Sequence, residues 1–392
     1  MSDVLHCIDA GSSPKALARP AVDGEVGVLK VSAVTWRQFR PHENKALPST
    51  FDITGIPTVR KGDLLLSRAN TAELLASPVI AEQTYPNLIL SDKTLRLVMR
   101  EEIVDSRFLL YALRQKPARL FFRANATGTS GSMRNVSQAT IRRCPIPLPP
   151  LAEQKRIAGI LDAADALRAR RREALAQLDT LLQSTFLDMF GDPVTNPMGW
   201  EVVAFTEVGQ FISGGTPSKS RDDFWNGTVP WVSPKDMKRS FISDSIDTIT
   251  ETALNETSIK LIAEECILIV VRGMILAHTF PVALTTGKVT INQDMKAILP
   301  NSDLLPKYLL FAMKAQQREI LAVVSSSAHG TKKFDKKAME GVRVPIPPLD
   351  LQHGFADIVE SIEQQKARMR CHLEELDTLF ASLQSRAFNG EL

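Results

Sequence analysis

The feature that most constrains this chain is an internal repeat with a period of roughly 200 residues, too long for stacked small units and therefore the mark of duplicated domains. The parts recur in the same order. Ile8-Asp9-Ala10-Gly11-Ser12-Ser13-Pro14 corresponds to Phe211-Ile212-Ser213-Gly214-Gly215-Thr216-Pro217, and Leu29-Lys30-Val31-Ser32 to Pro230-Trp231-Val232-Ser233. Leu64-Leu65-Leu66-Ser67-Arg68 matches Leu268-Ile269-Val270-Val271-Arg272, Ser91-Asp92 matches Gln293-Asp294, and Gly128-Thr129 matches Gly330-Thr331. Each pairing alone is weak; their collinearity is what chance does not explain.

The strongest pairing closes each half: Cys144-Pro145-Ile146-Pro147-Leu148-Pro149-Pro150-Leu151 against Val344-Pro345-Ile346-Pro347-Pro348-Leu349. Alternating prolines hold the backbone extended and remove amide donors, so each stretch reads as a stiff linker excluded from a sheet interior or a helix. The boundaries expected are therefore 1–143 for a first globular domain, 144–190 for a linker and central helix, 191–343 for a second domain and 344–392 for a linker and C-terminal helix.

After each linker the pattern turns helical and runs without proline for about 35 to 40 residues, or about 50 to 60 Å. A 4-3 alternation in the second stretch picks out Leu351, Phe355, Ile358, Ile362, Gln365, Met369, His372, Leu376, Leu379 and Leu383, and only Gln365 and His372 are polar. That is a coiled-coil seam. A shift of 198 residues gives Glu153, Ile157, Ile160, Ala164, Leu167, Arg171, Ala174, Leu178, Leu181 and Thr185, and Leu178-Asp179-Thr180-Leu181 recurs as Leu376-Asp377-Thr378-Leu379. Antiparallel pairing is expected, because the second domain must connect the end of one helix to the start of the next. With antiparallel helices the repeat takes an approximate two-fold, the arrangement of a dimeric DNA reader built in one chain. The run Arg168-Ala169-Arg170-Arg171-Arg172, flanked by Asp162, Asp165 and Glu173, reads as a solvated helical face, with contact to DNA phosphate or a partner protein as the alternative.

Composition excludes more than it selects. The chain has 392 residues, 44% of them apolar, enough for two cores. No long apolar run and no basic-then-hydrophobic N-terminus supports a membrane span or a secretory signal. Cys7, Cys144, Cys266 and Cys371 have no metal-ligand spacing and read as free thiols of a reducing compartment. The net charge of +3 is too small to announce a nucleic-acid partner, but residues 1–150 are net basic and the segment from Leu351 onward is net acidic.

Within the halves, Gly27-Val28-Leu29-Lys30-Val31, Asp63-Leu64-Leu65-Leu66 and Thr94-Leu95-Arg96-Leu97-Val98 are strand-like, and helices are expected over Asp105 to Gln115 and Asp303 to Gln317. The fold class expected is α+β: two tandem domains, each a mostly antiparallel sheet with helices, separated by two long antiparallel coiled-coil helices. Each half then carries a polar glycine-containing loop. The first offers Thr129, Ser130, Ser132, Arg134 and Asn135, the second Thr331, Lys332, Lys333 and Lys336. Hydroxyl, amide and cationic donors suit phosphates and base edges, although a solvent-exposed loop of turn formers has the same composition. Lys219, Arg221, Lys235, Lys238 and Arg239, interleaved with Trp225 and Trp231, form another candidate DNA-binding surface, with the tryptophans equally readable as core anchors.

Catalytic motifs are missing. Adenine methyl transfer needs a cofactor loop and an Asn-Pro-Pro-Tyr-like grip on the base, and the nearest stretch, Asn196-Pro197-Met198-Gly199, lacks the second proline and the aromatic. Ser213-Gly214-Gly215-Thr216-Pro217-Ser218-Lys219-Ser220 has serine where a phosphate-cradling loop requires glycine. Glu43-Asn44-Lys45 has the Glu-x-Lys form of metal-dependent nucleases, a tripeptide common by chance, and no nucleophile elbow occurs. No catalytic residue and no metal site is expected.

Leu151-Ala152-Glu153-Gln154-Lys155-Arg156-Ile157 after the proline linker, Phe190-Gly191-Asp192-Pro193, Gly214-Gly215-Thr216-Pro217, Pro230-Trp231-Val232-Ser233-Pro234-Lys235-Asp236-Met237 and Phe388-Asn389-Gly390-Glu391-Leu392 resemble the specificity subunits of type I restriction-modification enzymes. The likeness covers almost the whole chain and is weakest from Met1 to Lys61. It implies a DNA-binding subunit without catalysis, reading a split target in double-stranded DNA. It also implies two modification (methyltransferase) partners carrying S-adenosylmethionine, a motor-nuclease partner where cleavage accompanies methylation, and a cytoplasmic setting. This chain itself would hold no cofactor. A coiled-coil adaptor that reads no sequence remains the alternative.

Overall fold

The computed structural model describes residues 1–128, 133–326 and 330–392, so the expected contacts at Thr129, Ser130 and Ser132 lie outside the described residues. Two compact units emerge, Met1–Arg170 with Glu374–Leu392, and Arg171–Leu373. Each takes part of both long helices.

In the first unit an antiparallel sheet runs in the order Leu5–Ala10, Thr94–Met99, Leu64–Ser67, Pro78–Ile80. Its central strand shows why the apolar run is continuous. Leu64 and Leu66 enter one core cluster and Leu65 another, so both faces are covered. A second sheet has the order Asn44–Ala46, Gly27–Leu29, Tyr85–Ile89, Thr58–Val59, with one parallel pairing. Helices Ser106–Arg114 and Lys116–Ala124 follow, the first capped by Asp105, whose carboxylate accepts from the Phe108 amide.

The second unit repeats this plan with an enlarged sheet, ordered Gly209–Ser213, Met295–Pro300, Ile267–Val270, Val282–Thr285, Phe241–Ile242. A three-stranded sheet places Trp225–Val232 between Asp247–Ile249 and Thr290–Ile291. Helices Pro306–Ala315 and Gln317–Val323 cover one side. Arg343–Ile346, which overlaps the stretch expected as linker from Val344, is a strand pairing with Glu201–Ala204. A two-stranded ribbon has only edges, and an edge tolerates Pro345.

The strand registers also correct the repeat alignment. Leu64 lies opposite Leu97, and Ile267 opposite Ile298, so Leu64–Ser67 corresponds to Ile267–Val270 and Arg68 to Val271. Likewise Asp92 corresponds to Gln293: Ser13 donates to the Asp92 carboxylate as Thr216 donates to the Gln293 side-chain oxygen.

The long helices are Leu151–Phe190, of 40 residues, and Leu349–Asn389, of 41. In the first unit Arg156 donates to the Leu392 carbonyl while Arg168 reaches Asp377, so low numbers meet high ones and the segments run antiparallel. The second unit shows the same sense, with Lys366 on Asp179 and Phe186 against Phe355.

The seam lies one residue later at every second position than the sequence suggests. Ile157, Phe355 and Ile362 are buried as expected, and Ile160, Leu178, Ile358, Met369, Leu376 and Leu383 half-buried. Leu167, Leu181 and Leu379 point outward, 50%, 47% and 48% exposed. Their places are taken by Arg168, Leu182 and Phe380, all buried, as Leu161 and Val359 displace Ile160 and Ile358. The correct phase is hidden in the sequence because it contains the polar residues Gln154, Arg168, Gln352 and Lys366, and apolar counting selects against them.

Those polar residues are all satisfied. Gln154 accepts from the Asp105 amide and donates to the carbonyls of Ile103 and Pro149; Gln352 accepts from the Leu305 amide and donates to those of Asp303 and Pro347. Each buried glutamine thus latches the start of a long helix to its own domain. Arg168 pairs with Asp165 and Asp377 and lies 4.3 Å from the Phe380 ring centroid; Lys366 pairs with Glu363 and Asp179. Arg168 therefore belongs to the helix interface and not to a solvated face.

Candidate nucleic-acid interface

Backbone hydrogen bonds bring the repeated motifs of each half together. In the first unit the Arg68 amide donates to the Lys93 carbonyl and the Val136 amide to the Arg68 carbonyl, both at 2.9 Å. In the second the Val271 amide donates to the Asp294 carbonyl, the Phe334 amide to the Val271 carbonyl, and the Gly273 amide to the Lys332 carbonyl. The end of a central strand, the turn before the next strand and the glycine loop thus converge twice. The paired glycines explain part of this: a Cβ on Gly11 would stand 1.8 Å from the Leu90 carbonyl oxygen, and one on Gly214 2.0 Å from that of Asn292.

The loop residues border this convergence. Arg134 and Asn135 form a short strand against Ala69–Asn70, and the Asn135 backbone exchanges both hydrogen bonds with Thr127. Arg134 donates to the Ala126 carbonyl at 3.3 Å, and its buried Nε has no partner among the described residues. Lys332–Lys333 pairs with Ser325–Ser326, and the Lys332 ammonium donates to Ser326 Oγ at 2.9 Å. Thr331 is half-buried just before that strand, and Lys336 opens the helix Lys336–Gly341 with its side chain 84% exposed.

The tryptophan-flanked cations divide into committed and open groups. Arg221 is bidentate on Asp223, reaches Glu256 at 3.1 Å and covers the Phe224 ring. Those carboxylates raise its pKa above the ordinary arginine value. Lys235 is paired with Asp247 and Arg239 with Asp244. Lys219 and Lys238 are exposed and make no side-chain pair with any described residue. Trp231 is buried, donates from Nε1 to the Gly215 carbonyl at 2.9 Å and packs edge-on to Trp225. Both rings pack into the fold of the second unit, Trp231 buried and Trp225 half-buried against it.

Two further cations escape a sequence reading of the site. Arg272 and Lys296 line a pocket of about 490 Å³ in the second unit together with Lys333 and Lys336, above a floor of Phe211 and Phe334. Lys296 is the second residue of the strand Met295–Pro300, and its outward direction becomes legible only from the strand pairing. Among the described residues no cluster of side chains is suited to hold a metal ion, and no helix is long and apolar enough to cross a membrane.

Comparison with known proteins agrees with this architecture. Residues 42–177 and 197–376 match the family described as type I restriction modification DNA specificity domain. The EcoR124I/EcoR124II specificity subunit of Escherichia coli is 34% identical over 236 residues, 58% of this chain and 57% of that one. The EcoEI specificity subunit of the same species is 28% identical over 179 residues, 44% of this chain and 30% of its own length. The matched regions therefore span about half or less of these relatives. The crystal structure of a type I restriction-modification S subunit from M. genitalium shares the fold, with a TM-score of 0.57 at 15% identity, covering 99% of this chain and 94% of that one. With a family match in each of its two repeats, the chain belongs to the type I restriction-modification DNA specificity family.

Proposed function

We propose that this chain is the sequence-reading subunit of a type I restriction-modification complex, binding double-stranded DNA at a split target with one half-site per domain. The observation that carries the reading is the duplication itself: two domains of one family, each followed by a long helix, with the same three motifs converging in each. A chain built this way reads two short sequences held at a fixed spacing, with phosphate contacts positioning each domain and a few side chains specifying bases.

The chain performs no chemistry in this reading. Two modification subunits supply S-adenosylmethionine-dependent adenine methylation, a motor-nuclease subunit supplies cleavage, and the assembly works in the cytoplasm. The helices set the spacer. Adding seven residues to each helix at facing positions preserves the seam and lengthens the pair by about 10 Å, or about three base pairs of DNA. The half-sites should then stay the same while the unspecified spacer grows. Selection of bound duplexes from a randomised pool by the assembled complex tests both statements. A split motif is expected, and enrichment of no motif would leave the chain as an adaptor.

A further inference from the structure

The pocket in the second unit has a charge pattern that the fold alone does not require. Arg272 stands directly opposite Lys333 in an antiparallel bridge, and neither side chain makes a hydrogen bond or ion pair with any described residue. Like charges placed opposite each other across strands destabilise the pair. Lys296 lines the same pocket and among the described residues has only a neutral partner, Ser213 Oγ at 3.0 Å; the Lys336 ammonium is 3.9 Å from Glu340. The single acid among the described residues of the lining, Asp335, is already committed: it accepts from the Ala338 amide at 3.0 Å as a helix cap and from Ser325 Oγ at 3.3 Å.

The first unit supplies the control. By the strand registers, Arg272 corresponds to Ala69, which faces Asn135 as Arg272 faces Lys333, and Lys296 corresponds to Leu95; Lys336, first residue after its cap, corresponds to Gln138. The apolar floor is kept, with Ile8 for Phe211 and Val136 for Phe334. One fold thus serves both halves, and the cations are an addition to the second.

We propose that Arg272, Lys296, Lys333 and Lys336 form a phosphate-binding site through which the second domain takes DNA backbone charge that the first domain does not take at the same place. This rests on the DNA-reading function and adds an asymmetry to it. An anion between Arg272 and Lys333 removes their repulsion.

The test is the binding of the chain, assembled with its modification subunits, to a mixed-sequence duplex across a salt series, read as the slope of log affinity against log salt. Each phosphate contact contributes about 0.9 to that slope. Arg272→Ala with Lys333→Ala is expected to lower the slope by about 2 while leaving the melting temperature of the free protein unchanged or raised, since a repulsive pair is removed. Arg221→Ala, whose cation is already neutralised, is expected to leave the slope alone. A wild-type slope in the double variant, with DNA binding intact, would overturn the site and leave the DNA-reading function standing. No duplex binding at low salt by the wild-type chain assembled with its modification subunits would overturn both. Displacement of the duplex by a mononucleotide at constant ionic strength would assign the pocket to a small phosphate ligand instead.

Discussion

In the first unit Gln154 bonds to the Asp105 amide and two carbonyls; in the second Gln352 makes the same three bonds to Leu305, Asp303 and Pro347. The neighbouring packing is not the same. The second unit closes its helix-domain junction with a cluster of rings from Phe186, Phe190, Tyr308, Phe311 and Phe355. The first sets Phe108 against Phe388 and Tyr111 against Phe380. Its tyrosine hydroxyl donates to Asp162, and burial together with that acid raises its pKa above the ordinary phenol value. What is identical in the two halves orients helix on domain; what differs is the filling, together with the cations of the pocket in the second unit.

The largest expected difference follows from the rings. Phe186→Ala in the second unit should cost about 3–5 kcal/mol, the range for a fully buried phenylalanine. Phe388→Ala, at a half-buried position, should cost less than half as much in the first unit. Urea unfolding monitored separately in the two units measures both, and equal losses would erase the distinction. Next come the latches. Gln154→Leu and Gln352→Leu each strand one amide and two carbonyls, so losses of about 1–3 kcal/mol are expected, alike in both units. Faster hydrogen exchange at the Asp105 and Leu305 amides is the accompanying sign, and a loss confined to one unit would break the equivalence.

The smallest effect concerns the seam cations. Arg168 lies over the Phe380 ring and Lys366 has no such partner among the described residues, so Arg168→Lys should lose about 1 kcal/mol of ring contact. Lys366→Arg brings no ring in return and should not show the reciprocal gain. Lys314, close to Lys366 and largely buried, has its pKa lowered first by desolvation and then by that neighbour. Its folded pKa lies below the unfolded value, so it opposes folding at neutral pH, and that cost fades as pH rises from the folded pKa towards the unfolded one. Lys314→Met should therefore raise the melting temperature at pH 7 more than at alkaline pH, and equal gains at both would remove Lys314 as a source of pH dependence.

Much of the architecture is legible in the sequence because duplication writes it twice. Two domains, two long helices and their antiparallel sense follow from the repeat and from chain connectivity. The phase of the seam does not follow. Ile157, Ala164 and Leu178 fit either phase, and the row of Ile160, Leu167 and Leu181 looks more apolar than the buried row of Leu161, Arg168 and Leu182. Polar side chains satisfied by tertiary partners cannot be told in sequence from solvated ones. The same reason hides the pocket. Lys332, Lys333 and Lys336 stand out in a glycine loop, whereas Arg272 and Lys296 become neighbours of that loop only through strand pairing. Conversely Arg221, Lys235 and Arg239 look available in the sequence and are neutralised by acids close by.

The central claim is that this chain chooses a DNA sequence for others to modify. Single-molecule mapping of methylated adenines, in cells with and without the gene and with the proposed methyltransferase partner present in both, tests it most directly. The account predicts a two-part motif with a fixed spacer that disappears on deletion. A methylation pattern identical in the two strains would contradict it.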